Sequence, residues 1–487
     1  MKKSDWWLLA PIVILFAYLV IRLIDQSQVM FTFPFDMVND WSSYMTQLHF
    51  LQSCGFHEFC PYWYGGFISF LLIAPAWFLV MYPLYLLIGN VQVVAYLSLV
   101  GTYVAFLVLF LVFGKKLKMS CLRSLLWFVF FTANAMAIGN FLRLGRLHEF
   151  FGLFWLSFLL LLFIYYKDRE LDKYFLLGLP VYTLTILSHQ VIAMLGTVML
   201  LWFFVIRREK VYIALIFVLS LVIGSFWLYP YVMNFFGSHG VTIVLTETLL
   251  LFNSEYLLQT LITTITSLAV LTCFIFYVKG KNVKKEFLFF LPVLGLAFLV
   301  LTRLIIFVPG LKYVYPDTYN YFFIFFTLFF FLKTRFTKLK RVIPVLLILI
   351  AVASVVVSAL HTPFFIENST FDETMIETME HVEGTFLILG MEQGSYEMAY
   401  YSYAALYLNL STSSGWYSIP SLEYLDLLEV QTMETLEAQD CEGFTEVITE
   451  LETTDIITFD EHCETLKMCG FEEKFKSEEV CLYQNVN

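Results

Sequence analysis

This sequence predicts an α-helical polytopic membrane protein of about 11 transmembrane helices that ends in an extracytoplasmic α/β domain. Three observations carry that expectation. The 487-residue chain is 60% hydrophobic with a mean hydropathy of +0.76, far above a soluble globular average. Its apolar residues fall into repeated runs of roughly 17–25, the length that crosses about 30 Å of hydrocarbon. Past residue 360 that pattern stops and acidic side chains take over.

The runs lie near 6–24, 91–113, 120–138, 149–166, 174–190, 191–206, 211–229, 258–278, 287–307, 319–333 and 342–360. A further apolar stretch, 67–88, is interrupted by Pro75 and Pro83. The short connectors carry 21 of the 29 basic residues in six clusters, from Lys2 and Lys3 to the group between Lys333 and Arg341. All six fall on one side if 67–88 does not cross. The positive-inside rule then places the N-terminus in the cytoplasm and the C-terminus outside. No small-residue cleavage site follows the first run, which reads as a retained helix.

That helix opens onto a large outer loop, 25–90, with Asp36 and Asp40 four residues apart at the edge of the bilayer. A carboxylate so near hydrocarbon is costly, which makes Asp40, assisted by Asp36 or Glu149, the candidate for acid–base or metal chemistry. Trp41, Met45, Leu48 and Leu51 share one helical stripe, as in a helix lying along the interface. Trp63 and Tyr64 precede Gly65 and Gly66, a combination that permits a tight turn beside interfacial aromatics.

The next outer connector holds Arg143, Arg146, His148 and Glu149 within seven residues. Arginine suits phosphate because its planar fork gives bidentate, charge-assisted bonds. The plainer alternative is an ion pair with Glu149 or with lipid head groups. His189 sits at the outer end of a span. Arg303 and Lys312 are cations near the outer face, and Asp317 is a further outer carboxylate with Lys312 as its simplest partner. The long connector between Tyr229 and Tyr256 has the size of a lid.

Residues 361–487 hold 26 acidic side chains against three lysines. Strands are expected at 385–389, 454–459 and 480–483, and helices at 371–382, 421–438 and 441–451, which makes a small α/β domain. This acidity argues against a nucleic-acid partner. Six cysteines (Cys54, Cys60, Cys441, Cys463, Cys469 and Cys481) fall on the outer side. Cys54 and Cys60 are spaced to close a small loop, and the other four allow two disulfides in any of three connectivities. Asn368 and Asn409 head glycosylation acceptor patterns.

No P-loop or dinucleotide fingerprint occurs, which points to a membrane-borne or extracytoplasmic substrate. A lipid-phosphate sugar fits. Its acceptor hydroxyl needs a carboxylate base, and its departing phosphate needs cations already in place. Asp36, Asp40 and Glu149 also form an oxygen set suited to Mg²⁺ or Mn²⁺, and metal-free base catalysis fits the same residues.

The motif from Asp40 to His49, the stretch Trp63-Tyr64-Gly65-Gly66, and the segment from Pro75 to Pro83 resemble the GT-C superfamily of polytopic glycosyltransferases. The polar stretches Gly145–Glu149 and Ser188-His189 fall where such proteins carry motifs. That resemblance covers residues 1–360 and implies a polyprenyl-phosphate-sugar donor, an extracytoplasmic glycan, lipid or protein acceptor, and Asp40 as the catalytic acidic residue. Asp317 stands in a late loop where an arginine is expected. Two rival classes remain: a lipid or polysaccharide transporter, and a non-catalytic cell-surface assembly protein. The ionisable residues gather at one face rather than deep within spans, which disfavours transport.

Overall fold

A computed structural model of the chain describes residues 6, 8–35, 40–235, 257–334, 342–391, 397–415 and 423–485. Asp36 and most of the connector after Tyr229 lie outside them. A helix falls on every apolar run read from the sequence. Among the described residues, six helices are long and apolar enough to cross a membrane. The bent pair Cys121–Thr132 and Ala135–Arg143 makes a seventh if it counts as one span. The stretch 67–88 contributes the strand Phe67–Ile68 and the 13-residue helix Ala76–Ile88, which is about 20 Å long at 1.5 Å per residue and too short to span.

The difference from eleven has identifiable causes. The stretch 173–206 is split at His189 into Gly178–Ser188, of 11 residues, and Gln190–Ile206, of 17. The helices Val283–Leu301 and Pro316–Lys333 carry ionisable groups in their terminal turns. The chain is a multi-pass membrane protein.

The basic connectors gather at one end of the bundle and tie it together. Lys167 pairs with the buried Glu286 at 2.6 Å, and Lys285 pairs with Asp168 at 2.7 Å. Arg207 donates to the carbonyl of Lys167, Arg123 to that of Leu332, and Lys333 to that of Leu117. Several of these bonds satisfy carbonyls left open at helix C-termini, where cations are also favoured by the helix dipole. Glu149 and Asp317 stand at the opposite ends of the helices that finish at Tyr166 and Lys333, so the acidic groups cluster far from the basic ones.

The first and last membrane helices, Leu9–Gln26 and Val342–His361, pack together. Tyr18 donates to Ser358, and Arg22, fully buried, donates to the carbonyls of Thr362 and Pro363 at 3.0 and 2.7 Å. Arg22 thereby holds the chain just past the end of the last helix.

Two short strands of the first loop, β1 (Phe59–Cys60) and β2 (Phe67–Ile68), pair antiparallel, and the C-terminal region forms a four-stranded sheet in the order Phe386–Ile388 (β3), Asp455–Phe459 (β4), Val480–Gln484 (β6) and Glu472–Ser477 (β5). β3 (Phe386–Ile388) runs parallel to β4 (Asp455–Phe459), while β5 (Glu472–Ser477) and β6 (Val480–Gln484) form an antiparallel hairpin beside β4. Helices Thr370–Met379, Glu423–Glu437 and Cys441–Glu450 fall where the sequence places them. The disulfides are Cys54–Cys60, Cys441–Cys469 and Cys463–Cys481.

The helix Trp41–Ser53 departs from expectation. It does not lie along an interface: residues from Trp41 to Leu48, with Phe50 and Leu51, are buried on all faces. The C-terminal domain covers it. Thr46 donates to the carbonyl of Ser402, and Phe35 stacks on Tyr400 just before the helix begins.

Candidate active site

The site is built on two breaks in helical structure. After Thr132 the chain bends by 53°, and Asn134 caps both sides of the bend. Its amide donates to the carbonyls of Phe130 and Phe131, and its side-chain oxygen accepts from the Ala137 N–H. The following segment, Ile138–Arg143, is a π-helical turn, a form enriched at functional sites. It delivers the chain to Gly145, at φ +77°, and then to Arg146 at the head of the helix Leu147–Tyr166.

Asp40 reaches this point from the first loop. Its N–H donates to the carbonyl of Leu144, and Trp41 Nε1 donates to that of Leu142 at 3.0 Å. Gly145 is required here, because a Cβ would overlap the indole of Trp41 and an L side chain is strained at this φ. Asp40 heads its helix yet its carboxylate makes no capping bond, although aspartate is favoured for that task. The carboxylate instead lies 3.6 Å from Arg146 Nε.

Arg146 is the hub. Its Nη1 lies 3.6 Å from Glu149 Oε2 and 3.4 Å from Asp317 Oδ2. Burial works against its charge, but Glu149, Asp40 and Asp317 outweigh that and leave it more basic than an ordinary arginine. Among the described residues, the three ion pairs run through Nε to Asp40 and through Nη1 to Glu149 and Asp317. The Arg146 side chain is 32% exposed, that of Asp40 28% and that of Asp317 26%, so a ligand can reach them, whereas that of Glu149 is 6% exposed. Second partners orient two of the carboxylates: Asn140 donates to Asp317 at 2.9 Å, and Thr318 to Glu149 at 3.1 Å.

Asp317 therefore answers to Arg146 and Asn140, residues more than 170 positions away, as well as lying near Lys312 in sequence. Lys312 itself sits on the short turn Leu311–Tyr313. Arg143 is buried on the π-helical turn. His148 is buried beside the hub, its Nε2 3.0 Å from the Ala74 carbonyl, and its ring lies 5.1 Å from that of His189.

Other predicted site residues stand elsewhere. Trp63 and Tyr64 are buried against the C-terminal domain: Trp63 Nε1 donates to the Tyr401 carbonyl, and the Tyr64 N–H to that of Ser414. Arg303 donates to Thr264 and to the carbonyls of Thr260 and Val300. Asn140 and Thr318 went unmarked in the sequence, where an amide and a hydroxyl carry no signal of their own.

The metal expectation meets a different arrangement. Asp36 lies outside the described residues, and Asp40 and Glu149 both face Arg146. Among the described residues, no group of three or more His, Cys, Asp or Glu side chains is placed to hold a cation.

No protein-family model matches the chain, and neither does any curated protein sequence. Solved structures do match. The oligosaccharyltransferase of Archaeoglobus fulgidus in its apo form aligns over 94% of this chain and 70% of its own, at 10% identity and a TM-score of 0.58. The same organism's AglB, in complex with an inhibitory peptide and a dolichol-phosphate, gives the same coverage and identity at 0.55. The arabinofuranosyltransferase AftD from Mycobacteria aligns over 96% of this chain and 41% of its own, at 11% identity and 0.58. The polytopic bundle with its appended sheet domain is thus the fold of the GT-C membrane glycosyltransferases.

Proposed function

We propose that the chain is a membrane glycosyltransferase that moves a sugar from a polyprenyl-phosphate carrier to an extracytoplasmic glycan, lipid or protein acceptor. The observation that carries this reading is Arg146 held among Asp40, Glu149 and Asp317, partly open, at the end of the bundle opposite the basic connectors. Two of the solved structures of similar fold hold ligands of this kind, a dolichol-phosphate in one and an acceptor peptide in another.

In the proposed reaction the acceptor hydroxyl gives its proton to Asp40 while its oxygen attacks the anomeric carbon. The bond from that carbon to the carrier oxygen breaks, and its electron pair leaves on the polyprenyl phosphate. Arg146, through the exposed part of its side chain, holds that phosphate, with the charge of Arg143 nearby in the chain. Glu149 and Asp317 fix the guanidinium plane. Mg²⁺ or Mn²⁺ at Asp40 and Glu149 would compete with Arg146 for the same carboxylates. In this reading the N-terminus is cytoplasmic and the acidic domain faces outward, beside the acceptor.

The test is transfer by the purified protein in lipid nanodiscs, offered a panel of polyprenyl-phosphate hexoses and pentoses. Release of polyprenyl phosphate from at least one carrier, lost in Arg146→Ala, is expected. If intact protein consumes no carrier, the assembly-protein reading takes over.

A further inference from the structure

The break between the helices Gly178–Ser188 and Gln190–Ile206 has no cause in the sequence around it. No proline or glycine stands there, yet His189 leaves helical geometry at φ −164°, ψ 122°. The break exposes polar atoms inside an apolar stretch. His189 makes no capping bond to the helix that follows. Its Nδ1 and the side-chain oxygen of Gln190 are both buried, and neither has a hydrogen-bond partner among the described residues. An unmatched buried polar atom costs about 1–3 kcal/mol, so two at neighbouring positions call for a ligand that completes them.

Their position shows which ligand. The His189 ring lies 5.1 Å from that of His148, and His148 precedes Glu149 and follows the Arg146 hub by two residues. His148 in turn lies 5.8 Å from the ring of Tyr44, one helical turn from Asp40. His189 therefore stands beside His148, in the part of the bundle that holds Asp40 and Arg146, with Gln190 next to it in the chain. Gly152 lets the break approach this closely: a Cβ there would crowd His189, Ser188 and Ile192 at 3.1–3.3 Å.

We propose that His189 and Gln190 form the subsite for the donor's sugar ring, each bonding a ring hydroxyl while Arg146 takes the phosphate. This rests on the glycosyltransferase reading above. An imidazole and an amide both donate and accept, as a sugar hydroxyl does. A site built to bond a hydroxyl discriminates strongly against ligands that lack it, because its own groups are then left unpaired.

The experiment measures binding of bare undecaprenyl phosphate and of a panel of undecaprenyl-phosphate sugars to the full-length protein in nanodiscs. Wild type is expected to bind one sugar-bearing carrier at least about tenfold more tightly than the bare phosphate, the size of one or two hydrogen bonds. Gln190→Met and His189→Phe should bind bare phosphate as wild type does and lose that preference. The bare-phosphate arm shows that each variant is folded. Variants that keep the wild-type preference overturn the proposal, as does a wild type with no preference. A wild type that binds neither lipid refutes the glycosyltransferase reading itself. Arg146→Ala should weaken binding of both lipids alike.

Discussion

Trp41 lies directly against the backbone of Gly145, and this contact sets the approach of Asp40 to Arg146. The indole N–H holds the Leu142 carbonyl, the next residue back anchors on Leu144, and Gly145 has no Cβ to push the ring away. The acidic loop and the arginine turn thus form one unit although about a hundred residues separate them. Gly145→Ala should separate them. Crowding and a positive φ together cost on the order of 1–3 kcal/mol. The protein should still insert, melt a few degrees lower, and lose transfer activity at least about tenfold. Thermal melting and turnover of the same nanodisc preparation check both.

Arg146 uses two nitrogens for three carboxylates, which a lysine ammonium cannot reproduce in a plane. Arg146→Lys should lose at least about tenfold in kcat/KM despite keeping its charge. Asp317→Asn keeps a polar partner for Arg146 but removes one ion pair, and a smaller loss of about threefold to tenfold is expected. Steady-state kinetics of the two variants, side by side, separate geometry from charge.

The C-terminal domain closes over the first loop through backbone bonds. Thr412 N–H donates to the Tyr62 carbonyl and Gly65 N–H to that of Thr412, which in turn pairs beside β3. Trp63 is the buried anchor of this contact. Trp63→Ala removes a large buried side chain, a change that costs about 3–5 kcal/mol. It should release the domain to limited proteolysis near residue 361 while membrane insertion is retained. Digestion patterns of wild type and variant are the check.

Two disulfides staple the same domain, Cys441–Cys469 and Cys463–Cys481. Replacing Cys441 and Cys469 together by Ala should destabilise the domain by about 2–4 kcal/mol. Denaturant titration followed by domain-specific proteolysis measures the difference.

Burial pushes the Glu397 carboxyl up to about 7, well above an ordinary glutamate. A group whose folded pKa is raised contributes stability that is complete below its unfolded value, and loses it as pH rises through the folded value. The C-terminal domain should therefore weaken between about pH 4.5 and 7, by on the order of 1–3 kcal/mol. Glu397→Gln should abolish that slope and be the more stable form at pH 8. Melting curves across this range test it.

Much of the fold is legible in the sequence because membrane burial writes itself into long apolar runs. The C-terminal strands and helices are legible from periodicity in the same way. Asp40, Arg146 and Glu149 stand out because ionisable groups are expensive beside hydrocarbon. What joins them is not legible. Asp317 pairs with Arg146 across 171 positions, and local reading points to Lys312 instead. Trp63 and Tyr64 look like interfacial anchors, and only the docked domain shows what they touch. Arg22 stands in the first apolar run, and only the structure shows it holding the chain just past the last membrane helix. The helix from Trp41 shows an amphipathic stripe, yet a second domain buries its polar side too. Each miss is a long-range contact, and local patterns carry no record of one.

The most direct test of Asp40 as the base uses a deletion strain and its surface-glycan profile. The strain is complemented with wild type or with Asp40→Asn, a nearly isosteric change that cannot accept the proton. Deletion should alter the glycan, wild type should restore it, and Asp40→Asn should insert at normal levels without restoring it. Restoration by Asp40→Asn would rule Asp40 out as the base and leave it a structural partner of Arg146.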